Sequence, residues 1–180
     1  MGESLNLGPR ITGDHHYALL EHVLPMCTGV AVEFGTGAGE STALIAAHMP
    51  VISFGSINGL PEDWRDGEYP AGSFAHPLPV IDNATLVEGL FTDTLPSIDF
   101  SALDIGLCHF DADLYSSTAT ALEHVGPHLR SGTIVVFDEY HSFSGFQQCE
   151  LRAWAEWTKR TGIDYTPIGH DFEQAAFRCA

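Results

Sequence analysis

The sequence predicts a three-layer α/β domain built on a mostly parallel sheet. Three observations carry that expectation. Apolar runs of strand length alternate with segments of helical periodicity. The first run, Val30–Phe34, enters a glycine-rich turn, Gly35-Thr36-Gly37-Ala38-Gly39, that opens a helix. Two later runs end in acids, Asp111-Ala112-Asp113 and Asp138-Glu139. Alternating strand and helix marks a parallel sheet covered by helices. In such a Rossmann-like arrangement the ligand crevice lies outside the C-terminal strand ends.

Along the chain, a helix is expected first over residues 14–26, with Asp14 as N-cap and Tyr17, Leu19, Leu20, Val23 and Leu24 as its apolar face. His15 and His16 fall in its first turn, where exposure is the ordinary reading and substrate contact the alternative. Strand 30–34, helix 39–49 and strand 51–54 make a parallel pair with a right-handed crossover. Residues 55–83 are rich in Gly, Pro and Asp and lack periodicity. Trp64, Tyr69 and Phe74 argue against disorder there, and the length marks a functional loop, so the segment is expected to be an ordered flap over the site. A third strand covers 84–87, a helical turn lies within 93–98, and a fourth strand covers 105–110. Ser116 or Ser117 is expected to cap a helix reaching about residue 129, with Ala121, Leu122, Val125 and Leu129 inward and Arg130-Ser131-Gly132 closing it. The fifth strand, 133–137, is apolar throughout, as buried parallel strands are. Helix 147–161 is expected to turn Leu151, Trp154, Ala155 and Thr158 to the sheet and to stop at Gly162. Residues 164–168 and 174–178 read as a final strand pair, which gives the sheet an antiparallel strand at its C-terminal side. Without repeats or an inter-domain linker, 1–180 reads as one domain, with 1–29 a short N-terminal helical segment.

Composition narrows the partners. The formal net charge is −17, and Lys159 is the only lysine. So acidic a surface repels phosphate backbones and anionic membranes, so neither nucleic acid nor a membrane is expected as a partner. Divalent cations and neutral or cationic small molecules are compatible with it. The first ten residues have no signal-peptide pattern, and no apolar run approaches the roughly 20 residues of a membrane span. Four scattered cysteines without C-x-x-C spacing fit a reducing cytoplasm.

The glycine turn has a chemical reading. Glycines permit a tight turn and close approach of a ligand to the backbone, and the N–H groups opening a helix favour a polar or anionic group. A turn with spare glycines is the bland alternative. The pattern E-x-G-x-G-x-G brings the third glycine one residue earlier than the dinucleotide fingerprint, which disfavours a nicotinamide-dependent oxidoreductase. At the ends of strands four and five at least three carboxylates converge on the same rim. Packed carboxylates repel one another and raise each other's pKa, and a divalent cation resolves that repulsion. All-oxygen ligands point to Mg²⁺, with Mn²⁺ or Ca²⁺ as alternatives. Helix capping, by Asp113 above all, or solvated loop ends are the plainer readings of the same acids.

The segments EFGTGAGEST, FGSINGLPEDWR, EGLFTDTLP, HFDADLYSST and VVFDEYHSFSGF occur in this order. Together, from about residue 30 to the C-terminus, they resemble the TylF-type macrolide and aminocoumarin sugar O-methyltransferases. The resemblance implies a class I methyltransferase fold and a Mg²⁺-dependent transfer from S-adenosylmethionine (SAM) to a hydroxyl of a small molecule, a sugar or natural product. It implies that Glu33, Gly35, Gly37 and Gly39 hold the methionine half of SAM, with Ser41 near its carboxylate and Gly89, Leu90 and Phe91 near the adenine. Thr36, Gly55, Ser56 and Asp111 complete the implied cofactor set. Asp111, Asp138 and Glu139 are the implied metal ligands and Asp113 the implied general base. His141 is the alternative base, although a surface histidine is its plainer reading. A homo-oligomer is an allowed assembly.

At one place the chain departs from that family. The family reads F-D-S-F-E-G-L-P after strand two, where this chain has Phe54-Gly55-Ser56-Ile57-Asn58-Gly59-Leu60-Pro61. The acid that accepts both ribose hydroxyls of SAM is replaced by Gly55, a loss of about 1.5–3 kcal/mol per charge-assisted hydrogen bond. Ser56, Asn58 or a water could replace it in part. A degenerate relative that binds a ligand or partner without methylating is therefore the rival reading. From sequence alone, Gly55→Asp is expected to tighten SAM binding in a calorimetric titration.

Overall fold

The computed structural model describes residues 5–180; residues 1–4, the start of the N-terminal segment, lie outside the described residues. Seven strands, β1 (Val30–Phe34), β2 (Val51–Gly55), β3 (Ala84–Glu88), β4 (Ile105–Phe110), β5 (Ile134–Phe137), β6 (Tyr165–Asp171) and β7 (Gln174–Cys179), form one sheet. Their order is β3-β2-β1-β4-β5-β7-β6. The first five run parallel, and β7 is antiparallel to both β5 and β6. This is the mostly parallel α/β fold that the sequence predicts.

Two apolar layers flank the sheet because successive strand side chains point to opposite faces. Ala31, Leu107, Ile134 and Val136 pack with Leu19, Leu20 and Val23 of α1 (Ala18–Val23) and Ile45 of α2 (Glu40–Ala46). Val32, Phe34, Cys108, Phe110, Val135 and Phe137 pack on the other side. There they meet α4 (Tyr115–Val125) and α5 (Glu150–Thr161), with the short α3 (Phe91–Thr94) beside them.

Helix starts differ from the predicted ones for local reasons. Asp14 caps nothing: α1 begins at Ala18 after a turn in which His16 reaches Asp138 and Tyr17 reaches Glu40. Neither Ser116 nor Ser117 caps α4, whose N-cap is Leu114; the Ser116 hydroxyl instead donates to Glu62. In α5 the buried residues are Glu150, Ala153, Trp154, Trp157 and Thr158, whereas Ala155 is exposed. That stripe keeps the three-and-four spacing of a helix packed on a sheet, and Gly162, at φ 72°, ends it.

Four phenylalanines align the strand ends. Phe54, Phe34, Phe110 and Phe137 are register partners across β2, β1, β4 and β5. Their ring centroids are separated by 5.7, 4.9 and 4.9 Å in turn. The residue after each is Gly55, Gly35, Asp111 or Asp138, so the motifs begin along one level of the sheet. Trp154 closes the row from α5, with its centroid 5.4 Å from Phe137 and 5.9 Å from Phe177. Trp154→Ala is expected to cost about 3–5 kcal/mol of unfolding free energy, the range for large aromatic deletions in a core, measured by urea denaturation.

Candidate active site

A cavity of about 780 Å³ opens beyond the C-terminal ends of the parallel strands, the place where such sheets receive ligands. Gly35, Thr36 and Gly37 line it after β1, Gly55 and Ser56 after β2, and Gly89, Leu90 and Phe91 after β3. Asp111 and Asp113 line it after β4, and Glu139 after β5. Five other sequence-assigned residues, Glu33, Gly39, Ser41, Asp138 and His141, stand behind this wall.

Glu33 is an internal hub. It is fully buried, with Oε2 accepting the hydroxyls of Ser53 (2.6 Å) and Thr42 and Oε1 lying 3.1 Å from His109 Nδ1. Ser53 and His109 are its register neighbours on β2 and β4, so one carboxylate ties three strands to α2. Both its oxygens are engaged by internal partners. Gly39 sits at φ 88° as the N-cap of α2, with flap residues Pro79 and Ile81 against it. Ser41 is buried in the first turn of that helix. His141 is also buried: its Nδ1 lies 2.5 Å from Ser142 Oγ and its Nε2 3.0 Å from the Gln174 carbonyl. Burial lowers the His141 pKa, and its ring does not reach the cavity.

Gly35 is required by the neighbouring strand. At φ 113°, a Cβ there would lie 1.7 Å from the Asp111 carbonyl oxygen. At Gly55 the obstacle is a side chain. A Cβ would lie 2.7 Å from Thr36 Oγ1 and 2.8 Å from Thr36 Cβ. The Thr36 hydroxyl is 2.7 Å from Ser53 Oγ, which pins it in that position. Thr36 therefore fills the space that an acid at 55 would need.

The carboxylates sort into two sets. Asp111, Asp113 and Glu139 each present an oxygen within 4.8 Å of the others. Burial and then neighbouring acids push the Asp111 and Glu139 pKa values well above the carboxylate range. Burial followed by the Asp138 charge pushes Asp113 up to about 7, against the pull of Arg65. Glu139 Oε2 is buried and has no hydrogen-bond partner among the described residues. Asp138, implied as a metal ligand, stands outside this set. Its Oδ2 lies 2.9 Å from His16 Nε2 and its Oδ1 accepts from Gln174 Nε2. Burial works to raise its pKa, but the His16 hydrogen bond and the nearby histidine charges bring it below the ordinary value. Asp113, at φ 60°, takes the third place in the cluster and is not a helix cap.

His16, for which substrate contact is the alternative reading, and Glu150, which is not read as a site residue from sequence, both belong to this region. His16 borders the cavity and pairs with Asp138, which raises its pKa through that hydrogen bond first. Glu150 is fully buried behind the acids. Its oxygens accept the N–H groups of Ala112 (3.3 Å) and Glu139 (3.0 Å). The signal for Glu150 was an acid four residues before Trp154, on the apolar stripe of α5.

The segment between β2 and β3 forms the far wall. Trp64 and Tyr69 pack at 5.1 Å and Tyr69 and Phe74 at 5.2 Å between centroids. The Arg65 guanidinium lies 4.2 Å from the ring centroids of both Trp64 and Phe143 and 2.5 Å from Glu173. A cation between two aromatic faces is favourable, and the pairing latches this segment to the β6–β7 hairpin.

A Rossmann-like sheet in this strand order, with a glycine turn and an acid cluster on one crevice, is the class I methyltransferase fold. The profile of the macrocin O-methyltransferase (TylF) family matches residues 78–178, more than half of the chain, and the chain belongs to that family. The calicheamicin methyltransferase CalS11 superposes with a TM-score of 0.68 at 25% identity, over 91% of this chain and 76% of that one. The O-methyltransferase NovP does so with a TM-score of 0.65 at 20% identity, over 89% and 77%. A Streptomyces olivaceus 8-demethyl-8-(2,3-dimethoxy-α-L-rhamnosyl)-tetracenomycin-C 4′-O-methyltransferase is 39% identical over 59 residues. That match spans 33% of this chain and only 22% of the relative's length.

The packing at Gly55 reverses the expectation drawn from sequence. Gly55→Asp should lower stability by about 1–3 kcal/mol, the usual cost of overpacking, and should not tighten SAM binding. Urea denaturation paired with SAM calorimetry checks both parts.

Proposed function

We propose that this chain is an O-methyltransferase that uses SAM to methylate a hydroxyl of a small molecule, a sugar or natural product. The observation that carries the reading is the single cavity joining the glycine turn, Gly35 to Ala38, to Asp111, Asp113 and Glu139. SAM, when bound, supplies an electrophilic methyl group. Gly35 and Gly37 leave the turn open to it, and Gly89, Leu90 and Phe91 offer a partly apolar edge for its base. Leu60, Trp64 and Phe74 cover the other wall and limit the entry of water. Holding nucleophile and methyl group in line is the main contribution of such a site.

The donor set also fits a hard divalent cation. Three carboxylates face one another, one of their buried oxygens has no partner, and Arg65 is already paired with Glu173. Asp111 and Glu139 would hold Mg²⁺, whose chemistry there is to lower the pKa of a hydroxyl that contacts it. Asp113, a third carboxyl on the same cavity wall and within 4.8 Å of the other two, would accept the proton of that hydroxyl. His141, without access to the cavity, has no part in this scheme.

The partner is a small-molecule acceptor. The surrounding acids disfavour nucleic acid, and no helix among the described residues is long and apolar enough to cross a membrane. The four free cysteines support a reducing, cytoplasmic setting. Gly55 favours one rival: a family member that keeps the fold but has lost SAM binding.

Calorimetric titration with SAM, with and without Mg²⁺, separates the two. Micromolar binding supports the methyltransferase, and no binding in either condition supports the rival. Asp113→Asn is expected to reduce turnover about 10²–10⁴-fold, the usual share of acid–base catalysis, while SAM still binds. Full turnover in that variant removes Asp113 from the chemistry.

A further inference from the structure

Glu150 opens α5 and is fully buried, yet it does not line the cavity. The two amides it accepts, those of Ala112 and Glu139, belong to different loops. One loop carries Asp111 and Asp113, and the other carries Glu139. The last backbone hydrogen bond of the β4–β5 ladder is from the Asp138 N–H to the Phe110 carbonyl, at 2.9 Å. Beyond it, three carboxylates face one another within 4.8 Å, where like charges repel and no ladder bond joins the two loops. Glu150 is the clip across that gap.

We propose that Glu150 is a positioning residue for the acid cluster: by bridging the Ala112 and Glu139 amides it sets the separation of Asp111, Asp113 and Glu139, and with it their affinity for a divalent cation. The inference rests on reading that cluster as a cation site.

The chemistry of the residue supports the role. Burial raises the Glu150 pKa well above the ordinary value, against the pull of the Glu139 and Ala112 amides, and each of its two oxygens keeps acceptor capacity toward one of the converging N–H groups. A glutamine offers one acceptor and turns its NH₂ toward the second amide. Trp154, one turn along and fully buried, fixes the helix that carries Glu150. Packing alone would favour an apolar residue at this position, because burying a carboxylate is unfavourable unless its hydrogen bonds are needed. Partners that orient metal-binding groups from behind tune affinity in this way.

The test is Mn²⁺ calorimetry on the wild type, Asp111→Asn, Glu150→Gln and Glu150→Asp. Melting midpoints and metal-free amide exchange at residues 112 and 139 are recorded for each. The wild type should bind and Asp111→Asn should not. Glu150→Gln should bind about 10–100-fold more weakly while still folded, with faster exchange at one or both amides. Glu150→Asp keeps both oxygens but withdraws them by one methylene; it should also lose affinity, and it carries the comparison if the glutamine variant does not fold. Wild-type affinity in a folded Glu150 variant overturns the positioning role and leaves the cation site standing. Faster exchange with unchanged affinity overturns it equally, by reducing Glu150 to a structural contact. A wild type that does not bind Mn²⁺ overturns the cation reading and this inference together.

Discussion

The in-register row of Phe54, Phe34, Phe110 and Phe137 is the constraint on which the site depends. Offset aromatic contacts at this spacing are favourable beyond their buried area, and a one-residue slip of any strand would turn its phenylalanine to the opposite face. Register is thereby locked at the point where the strands stop. A glycine or an aspartate comes next after each ring; Gly55, Gly35 and Asp111 start the cavity wall at a common height, and Asp138 stands behind it.

Beyond that row the protein manages acids in two ways. Glu33 is buried among hydroxyls and His109, so each of its oxygens is occupied by an internal partner. Its role is to hold β1, β2, β4 and α2 together. Asp111, Asp113 and Glu139 have no such ring of partners among the described residues, and burial first and neighbouring acids second raise their pKa values. Asp138 stands between the two regimes, because His16 and Gln174 engage both of its oxygens. A site that concentrates uncompensated charge is suited to a cation or to proton transfer, and the interior network shows that this fold can quench an acid where quenching is required.

Much of the fold was legible in the sequence. The parallel strands are apolar runs bounded by Gly, Pro or Asp, and their ends fall within a residue or so of the expected positions. Helix starts were less legible. Asp14 and Ser116 have the chemistry of caps, but long-range contacts claimed their neighbourhoods: His16 with Asp138 near the first, Glu62 with Ser116 at the second. The glycine turn and the acid-rich strand ends could be placed on the rim from spacing. Which acids face the cavity could not, because past the last ladder hydrogen bond alternation no longer fixes direction. Asp113 has a positive φ, and of the adjacent pair Asp138-Glu139, Glu139 lines the cavity while Asp138 does not. Gly55 looked like a missing acid when read alone. With Thr36 beside it, the pair is a compensated packing arrangement that no single position reveals.

Gly35 carries a consequence for how such motifs are used as diagnostics. Its missing side chain is demanded by the Asp111 carbonyl of the adjacent strand, at a distance no Cβ could tolerate. A descendant of this chain that had abandoned its ligand would still be held to glycine there, since the sheet could not close otherwise. The signature would then outlive the activity, marking ancestry and architecture in lineages whose chemistry had ceased. Gly37 adds to this: a Cβ there would meet nothing within 4 Å, yet its φ of 48° favours glycine with or without a ligand, so the turn as a whole records backbone architecture before it records binding.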